Sequence, residues 1–130
     1  MPDTETLLSQ LKFDKDGLVP AVIQDAQSKD VLMLGFMNRD AVNKSISERR
    51  VCFWSRSRQT FWIKGETSGM TLNVVSICVN CELNSLLVHV NPSGPTCHTG
   101  HNSCYYRVAD GDAWMEVGPV LISPSQLYKR

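Results

Sequence analysis

Three cysteines in the second half of the chain, Cys81, Cys97 and Cys104, have the types and spacing of a zinc site. Cys81 stands in the polar break Asn80-Cys81-Glu82-Leu83-Asn84, and Cys97 and Cys104 follow a run rich in Pro, Gly, Ser, Thr and His. A hairpin loop giving one thiolate and a Gly/Pro-rich segment giving two can hold zinc, which favours tetrahedral thiolate or imidazole coordination. Three protein ligands leave a position for water, the catalytic arrangement, whereas four close the site. Cys78-Val79-Asn80-Cys81 is also a CxxC, and with Cys97 and Cys104 it makes a closed four-cysteine alternative. Spacing alone does not separate the two. Local structure favours the open site, because Cys78 lies between Ile77 and Val79 in a strand-like run. Alternate residues of a strand face opposite ways, so Cys78 and Cys81 diverge unless the chain turns sharply. Cys78 and Cys52 are therefore read as packed thiols. His98, beside Cys97, is the candidate for handling a proton, although the same place suits a group with no proton to move. His101 reads as a solvated loop residue, and His89, within an apolar strand, as structural or half-exposed.

Two further segments suit phosphate. Trp54-Ser55-Arg56-Ser57-Arg58 carries two guanidinium groups and two hydroxyls, and Lys64-Gly65-Glu66-Thr67-Ser68-Gly69 a cation, two glycines and two hydroxyls. Cations and glycine-freed backbone amides are what phosphate oxygens require. Taken singly, each segment is an ordinary polar turn, and neither is a Walker loop or a dinucleotide fingerprint. The rest of the chain offers no competing basic field. Lys+Arg and Asp+Glu both total 13 in 130 residues, which argues against nucleic acid or an anionic membrane as partner. The polar, acidic start has no leader-like pattern, and the longest apolar run, Val31 to Met37, is too short to span a bilayer. A cytoplasmic location is expected. There, five clustered or buried thiols are metal ligands or core residues before they are disulfides.

The elements that must position these groups follow from periodicity. Asp3 or Thr4 is expected to cap a short helix to about Leu11, with Leu7, Leu8 and Leu11 on one face. Asp14 to Gly17 reads as a turn, and Val19 to Gln24 with Val31 to Phe36 as a hairpin. Asn38 is an N-cap for a helix over Arg39 to Glu48. Val51 to Trp54, Thr60 to Ile63, Leu72 to Val79 and Ser85 to Val90 are β-branched and aromatic, hence strands. The tail from Val108 has little periodicity. The expectation is one α+β domain over 1–130, mainly antiparallel with one or two short helices.

Taken together, these words resemble the phosphoribosyl-AMP cyclohydrolase family of histidine biosynthesis. The matching stretches are Gly17 to Ala21, Val31 to Asn38, Phe53 to Arg58, Trp62 to Gly69 and Gly94 to Gly100, continuing to Ser103 to Arg107. The likeness runs from about Phe13 to Arg107, leaving 108–130 as a tail. It implies zinc-dependent hydrolysis of the N1–C6 bond of the adenine ring of phosphoribosyl-AMP. It also implies a homodimer with metal sites across the subunit interface. Zinc then falls to Cys81, Cys97 and Cys104, catalysis to His98, and the small-molecule nucleotide to Trp54, Arg56, Ser57, Arg58, Lys64, Glu66, Thr67 and Ser68. Some members carry a fused pyrophosphohydrolase domain; the 23 residues after Arg107 are too few for one, so a monofunctional chain is expected.

One departure stands out. The family's Asp-Cys-Asp-x-Asp pattern, which binds magnesium, is here Asn80, Cys81, Glu82 and Asn84. One carboxylate in place of three implies weak magnesium binding that needs high concentrations, or a protein or solvent contact in the ion's place. The same departure leaves a second reading, a nucleotide-binding homologue that keeps zinc with impaired turnover. A zinc deaminase is disfavoured, because His-x-Glu and Pro-Cys-x-x-Cys are both missing.

Overall fold

The computed structural model describes residues 4–65 and 69–123. Helix α1 (Thr4–Gln10) leads into the turn at Asp14, whose carboxylate accepts from the backbone N–H of Asp16 and Leu18 at 2.8 and 3.0 Å. Strands β1 (Val19–Asp25) and β2 (Val31–Met37) form the expected antiparallel hairpin. Helix α2 (Arg39–Glu48) starts where Asn38 accepts the Ala41 N–H at 2.8 Å and stops at Arg49, which is left-handed. Strands β3 (Cys52–Ser55) and β4 (Thr60–Ile63) make a separate hairpin, and β5 (Leu72–Val79) and β6 (Leu86–Pro92) another.

The main sheet runs β2-β1-β6-β5. Its outer pairs are antiparallel, as the hairpins require, but the central β1–β6 pair is parallel. The sheet is therefore mixed, and the mainly antiparallel α+β expectation holds with that one exception. Buried Val19, Ala21, Ile23, Leu32, Val74, Leu86, Val88 and Val90 from this sheet meet Ala41, Val42, Val51 and Phe53 in one core. Burying each of the valine, leucine, isoleucine and phenylalanine side chains is worth about 1.5–3 kcal/mol. Gly35 sets the approach of β3 to β2, since a Cβ there would lie 2.4 Å from the Phe53 ring.

Three details differ from expectation. Of the leucines expected on one face of the first helix, Leu8 is buried, Leu11 just past the end of α1 packs partly against the core, and Leu7 is exposed. The tail is not featureless, because β7 (Arg107–Asp110) and β8 (Ala113–Glu116) form a two-stranded ribbon. Cys78 is exposed rather than packed. The reason is a register shift between Val74 and Ser76. That irregularity reverses the parity of β5, so Ile77 turns toward the core and Cys78 away from it. Cys52 is buried as expected. Asp3 lies outside the described residues.

Candidate active site

The segment from Gly94 to Cys104 is built as a docked loop. Ser103 Oγ donates to the Val31 carbonyl at 2.6 Å and the Cys104 N–H to the Leu32 carbonyl at 2.7 Å, fixing the loop on the outer edge of β2. Within it, the Cys97 N–H donates to the His101 carbonyl and the Gly100 N–H to the Cys97 carbonyl, at 3.1 and 2.9 Å. Gly100 has φ +89°, and a Cβ there would come within 1.7 Å of the Ile122 carbonyl oxygen. Only glycine closes this turn.

The turn brings Cys97, Cys104 and Lys64 close enough to act on one another electrostatically. Cys97 is buried, while Cys104 reaches the surface. Crowding on the protein side and the neighbouring Cys97 push the Cys104 thiol up to about 11, against the pull of Lys64. Burial lowers the Lys64 pKa, opposed by the two sulfurs. A thiol raised like that of Cys104 keeps its proton until a cation displaces it, and soft sulfur donors suit zinc. The donor chemistry thus fits a thiolate-bound metal, although one chain supplies only part of a ligand set.

Behind the sulfur pair lies a polar chain. Thr99 Oγ1 donates to Cys97 Sγ at 3.0 Å and meets His101 Nδ1 at 2.7 Å. His101 is not a solvated loop residue. It is buried, stacked on Tyr106 with centroids 3.8 Å apart, and its Nε2 lies 4.0 Å from Glu116 on β8. His98, in contrast, is exposed beside Cys97.

The other site residues are dispersed. Cys81 is exposed in the β5–β6 loop. By strand register this loop lies beyond the Leu86–Ala21 end of the sheet, whereas Cys104 docks near the Val31–Gln24 end. The offset is roughly 10 Å along the strands and roughly 10 Å across them. Accordingly, among the described residues no three His, Cys, Asp or Glu side chains cluster closely enough to hold a metal. Arg56, Ser57 and Arg58 occupy the β3–β4 turn, where Ser55 Oγ accepts the Arg58 N–H at 3.2 Å. The Arg56 guanidinium lies over the Phe36 ring at 4.6 Å. Trp54 lies edge-on to Phe61 and lines a small cleft with Arg56, Asn38 and Asp16. Lys64 sits with the sulfurs, and Glu66, Thr67 and Ser68 lie outside the described residues. His89 is half-buried with Nδ1 3.0 Å from Ser76 Oγ, the structural role expected of it. Asn80 and Asn84 are hydrogen-bonded to one another at 2.6 Å, and Glu82 is exposed beside them.

Paired sulfurs beside an exposed imidazole, with cations on a neighbouring hairpin, are the side chains that a metal-dependent hydrolase of a phosphorylated substrate uses. Comparison with known proteins narrows this class to one family. Residues 33–106 match phosphoribosyl-AMP cyclohydrolase, and the chain belongs to that family. It is 40% identical over 129 residues to the phosphoribosyl-AMP cyclohydrolase of Chlorobium chlorochromatii, covering 98% of this chain and 94% of the relative. It is 41% identical over 125 residues to that of Prosthecochloris aestuarii, covering 95% and 91%. It is also 50% identical over 107 residues to the histidine biosynthesis bifunctional protein HisIE of Photobacterium profundum, covering 82% of this chain and 52% of the relative. The resemblance drawn from the sequence words is borne out. Among the described residues no helix is long and apolar enough to cross a membrane.

Proposed function

We propose that the chain is an active phosphoribosyl-AMP cyclohydrolase of histidine biosynthesis, opening the adenine ring at N1–C6 with zinc held between two copies of the chain. The observation that carries this reading is the closeness of Cys97 to Cys104, beside Lys64 and His98, in a chain of this family. Zinc, when bound, lowers the pKa of water toward neutrality and so makes the nucleophile available. Three thiolates donate more charge than three imidazoles and leave the metal a weaker acid, so a protein base is needed. His98 takes a proton from the attacking water and delivers one to N1 as the N1–C6 bond breaks. Arg58 and Arg56 on the β3–β4 turn, and Lys64, meet the two separated phosphates.

Two observations support a dimer. Cys81 stands too far from Cys97 and Cys104 to join them on one ion, so the third thiolate comes from a second copy. In addition, Val108, Trp114, Met115, Val117, Val120 and Leu121 on and beside the β7–β8 ribbon are all exposed, Trp114 to 71%. Exposed apolar groups in such density mark an interaction surface.

The test is direct. Purified protein, zinc-loaded at one ion per chain, is mixed with phosphoribosyl-AMP, and ring opening is followed by the change in ultraviolet absorbance. Turnover supports the reading. Saturable nucleotide binding without turnover instead supports an impaired homologue.

A further inference from the structure

We infer that the loop from Asn80 to Ser85 is closed by an amide clasp that takes the place of a divalent cation, so that this loop holds no magnesium. The inference rests on the family membership, not on turnover. Asn80 Oδ1 accepts the backbone N–H of both Asn84 and Ser85 at 2.9 Å, and Asn80 Nδ2 donates to Asn84 Oδ1 at 2.6 Å. Orientation is fixed by chemistry. Two backbone donors demand an oxygen at Asn80, which turns its NH2 toward Asn84 and requires an oxygen there. The backbone closes the same turn. The Leu83 N–H donates to the Asn80 carbonyl at 3.0 Å, and the Asn80 N–H to the Ser85 carbonyl at 3.2 Å. The Leu83 carbonyl, in turn, accepts the Lys12 N–H at 2.7 Å, tying the loop to the segment after α1.

These donors do not fit magnesium. The ion wants near-octahedral oxygen ligands, prefers carboxylates and gives up water reluctantly. The amide oxygens at 80 and 84 are neutral and already engaged, and Glu82 alone is charged. Two aspartates facing each other at positions 80 and 84 would repel and call for a cation between them. Two asparagines place an N–H at the same point and need none. An amide pair and a carboxylate–cation–carboxylate bridge are alternative closures of one turn.

The experiment uses zinc-loaded full-length protein, amide NMR, and Mn2+ as a paramagnetic probe displaceable by Mg2+. In the native chain, the amide signals of residues 81–85 are expected to remain sharp as Mn2+ is added. In Asn80→Asp/Asn84→Asp they are expected to broaden saturably and recover with Mg2+. Saturable, Mg2+-reversible broadening in the native chain overturns the inference. A second variant needs no new charge. Asn80→Ala removes all three side-chain hydrogen bonds and is expected to speed hydrogen exchange at the Asn84 and Ser85 amides about tenfold in metal-free buffer. Unchanged exchange there also overturns the inference, because the clasp would not be holding the turn.

Discussion

Replacing Thr99 with Val keeps the side chain's shape and removes one oxygen from the centre of the site. That oxygen lies 3.0 Å from Cys97 Sγ and 2.7 Å from His101 Nδ1. A hydroxyl has a single hydrogen, so when it donates to the sulfur it must accept from the Nδ1–H of the imidazole. His101 is only 5% exposed and is stacked on Tyr106, so water cannot readily replace the lost partner. A buried polar group left unpaired costs about 1–3 kcal/mol, or about 5- to 150-fold in an equilibrium constant. Groups that support a metal-ligating side chain are independently worth about 10–100-fold in affinity. The two ranges agree, and Thr99→Val is expected to weaken zinc binding roughly 10- to 100-fold. Competition against a chromophoric chelator measures this directly. Thr99→Ser retains the hydroxyl and should recover most of the affinity. Native zinc affinity in Thr99→Val, or equal losses in the Val and Ser variants, would refute the hydroxyl's role.

Other consequences are simpler. Cys97→Ser and Cys104→Ser should each strip zinc and abolish turnover, while Cys78→Ser, on the outward side of β5, should spare both; metal analysis of the three variants decides. Arg58→Ala should raise KM with little change in stability, each lost charge-assisted hydrogen bond costing about 1.5–3 kcal/mol. Arg56→Ala should add a drop in melting temperature, because it also loses the contact with Phe36; an unchanged KM in both would return this turn to an ordinary polar connection. Asn38→Ala removes the α2 cap and should cost about 1 kcal/mol in denaturant unfolding without altering kcat. A native unfolding midpoint would show that the cap contributes nothing.

What the sequence made legible was what local rules control. Asn38 announces α2 because a side-chain oxygen must meet free helix N–H groups, and the β1–β2 hairpin shows in apolar runs flanking a polar turn. Cys97 and Cys104 could be paired because only six residues rich in turn formers separate them. Features set by distant partners were hidden. The bulge at Val75 is invisible in the letters, and it is what turns Cys78 outward. His101 is buried by Tyr106 and by the residues around Val120, which no local pattern connects to it. The β7–β8 ribbon was missed because all its strand residues are exposed, leaving no alternation to detect. The one signal available was Gly111-Asp112, the two-residue turn between the strands, whose glycine has φ +63°. The glycine-rich context of Lys64 groups it with the phosphate-binding cations; its position beside the sulfurs depends on how β4 meets the 94–104 loop.

Mixing chains that lack different zinc ligands tests the central claim most directly, namely that the active site is shared between two copies. Cys81→Ser and Cys97→Ser proteins are each expected to be inactive. After unfolding together and refolding with zinc, mixed dimers contain one site with both kinds of ligand intact and one with neither. Random pairing should then restore about one quarter of native turnover, as a symmetric two-fold dimer requires. Recovery near that level supports a zinc-dependent cyclohydrolase assembled across the interface. No recovery in a mixture whose mixed dimers are confirmed by mass spectrometry would contradict it.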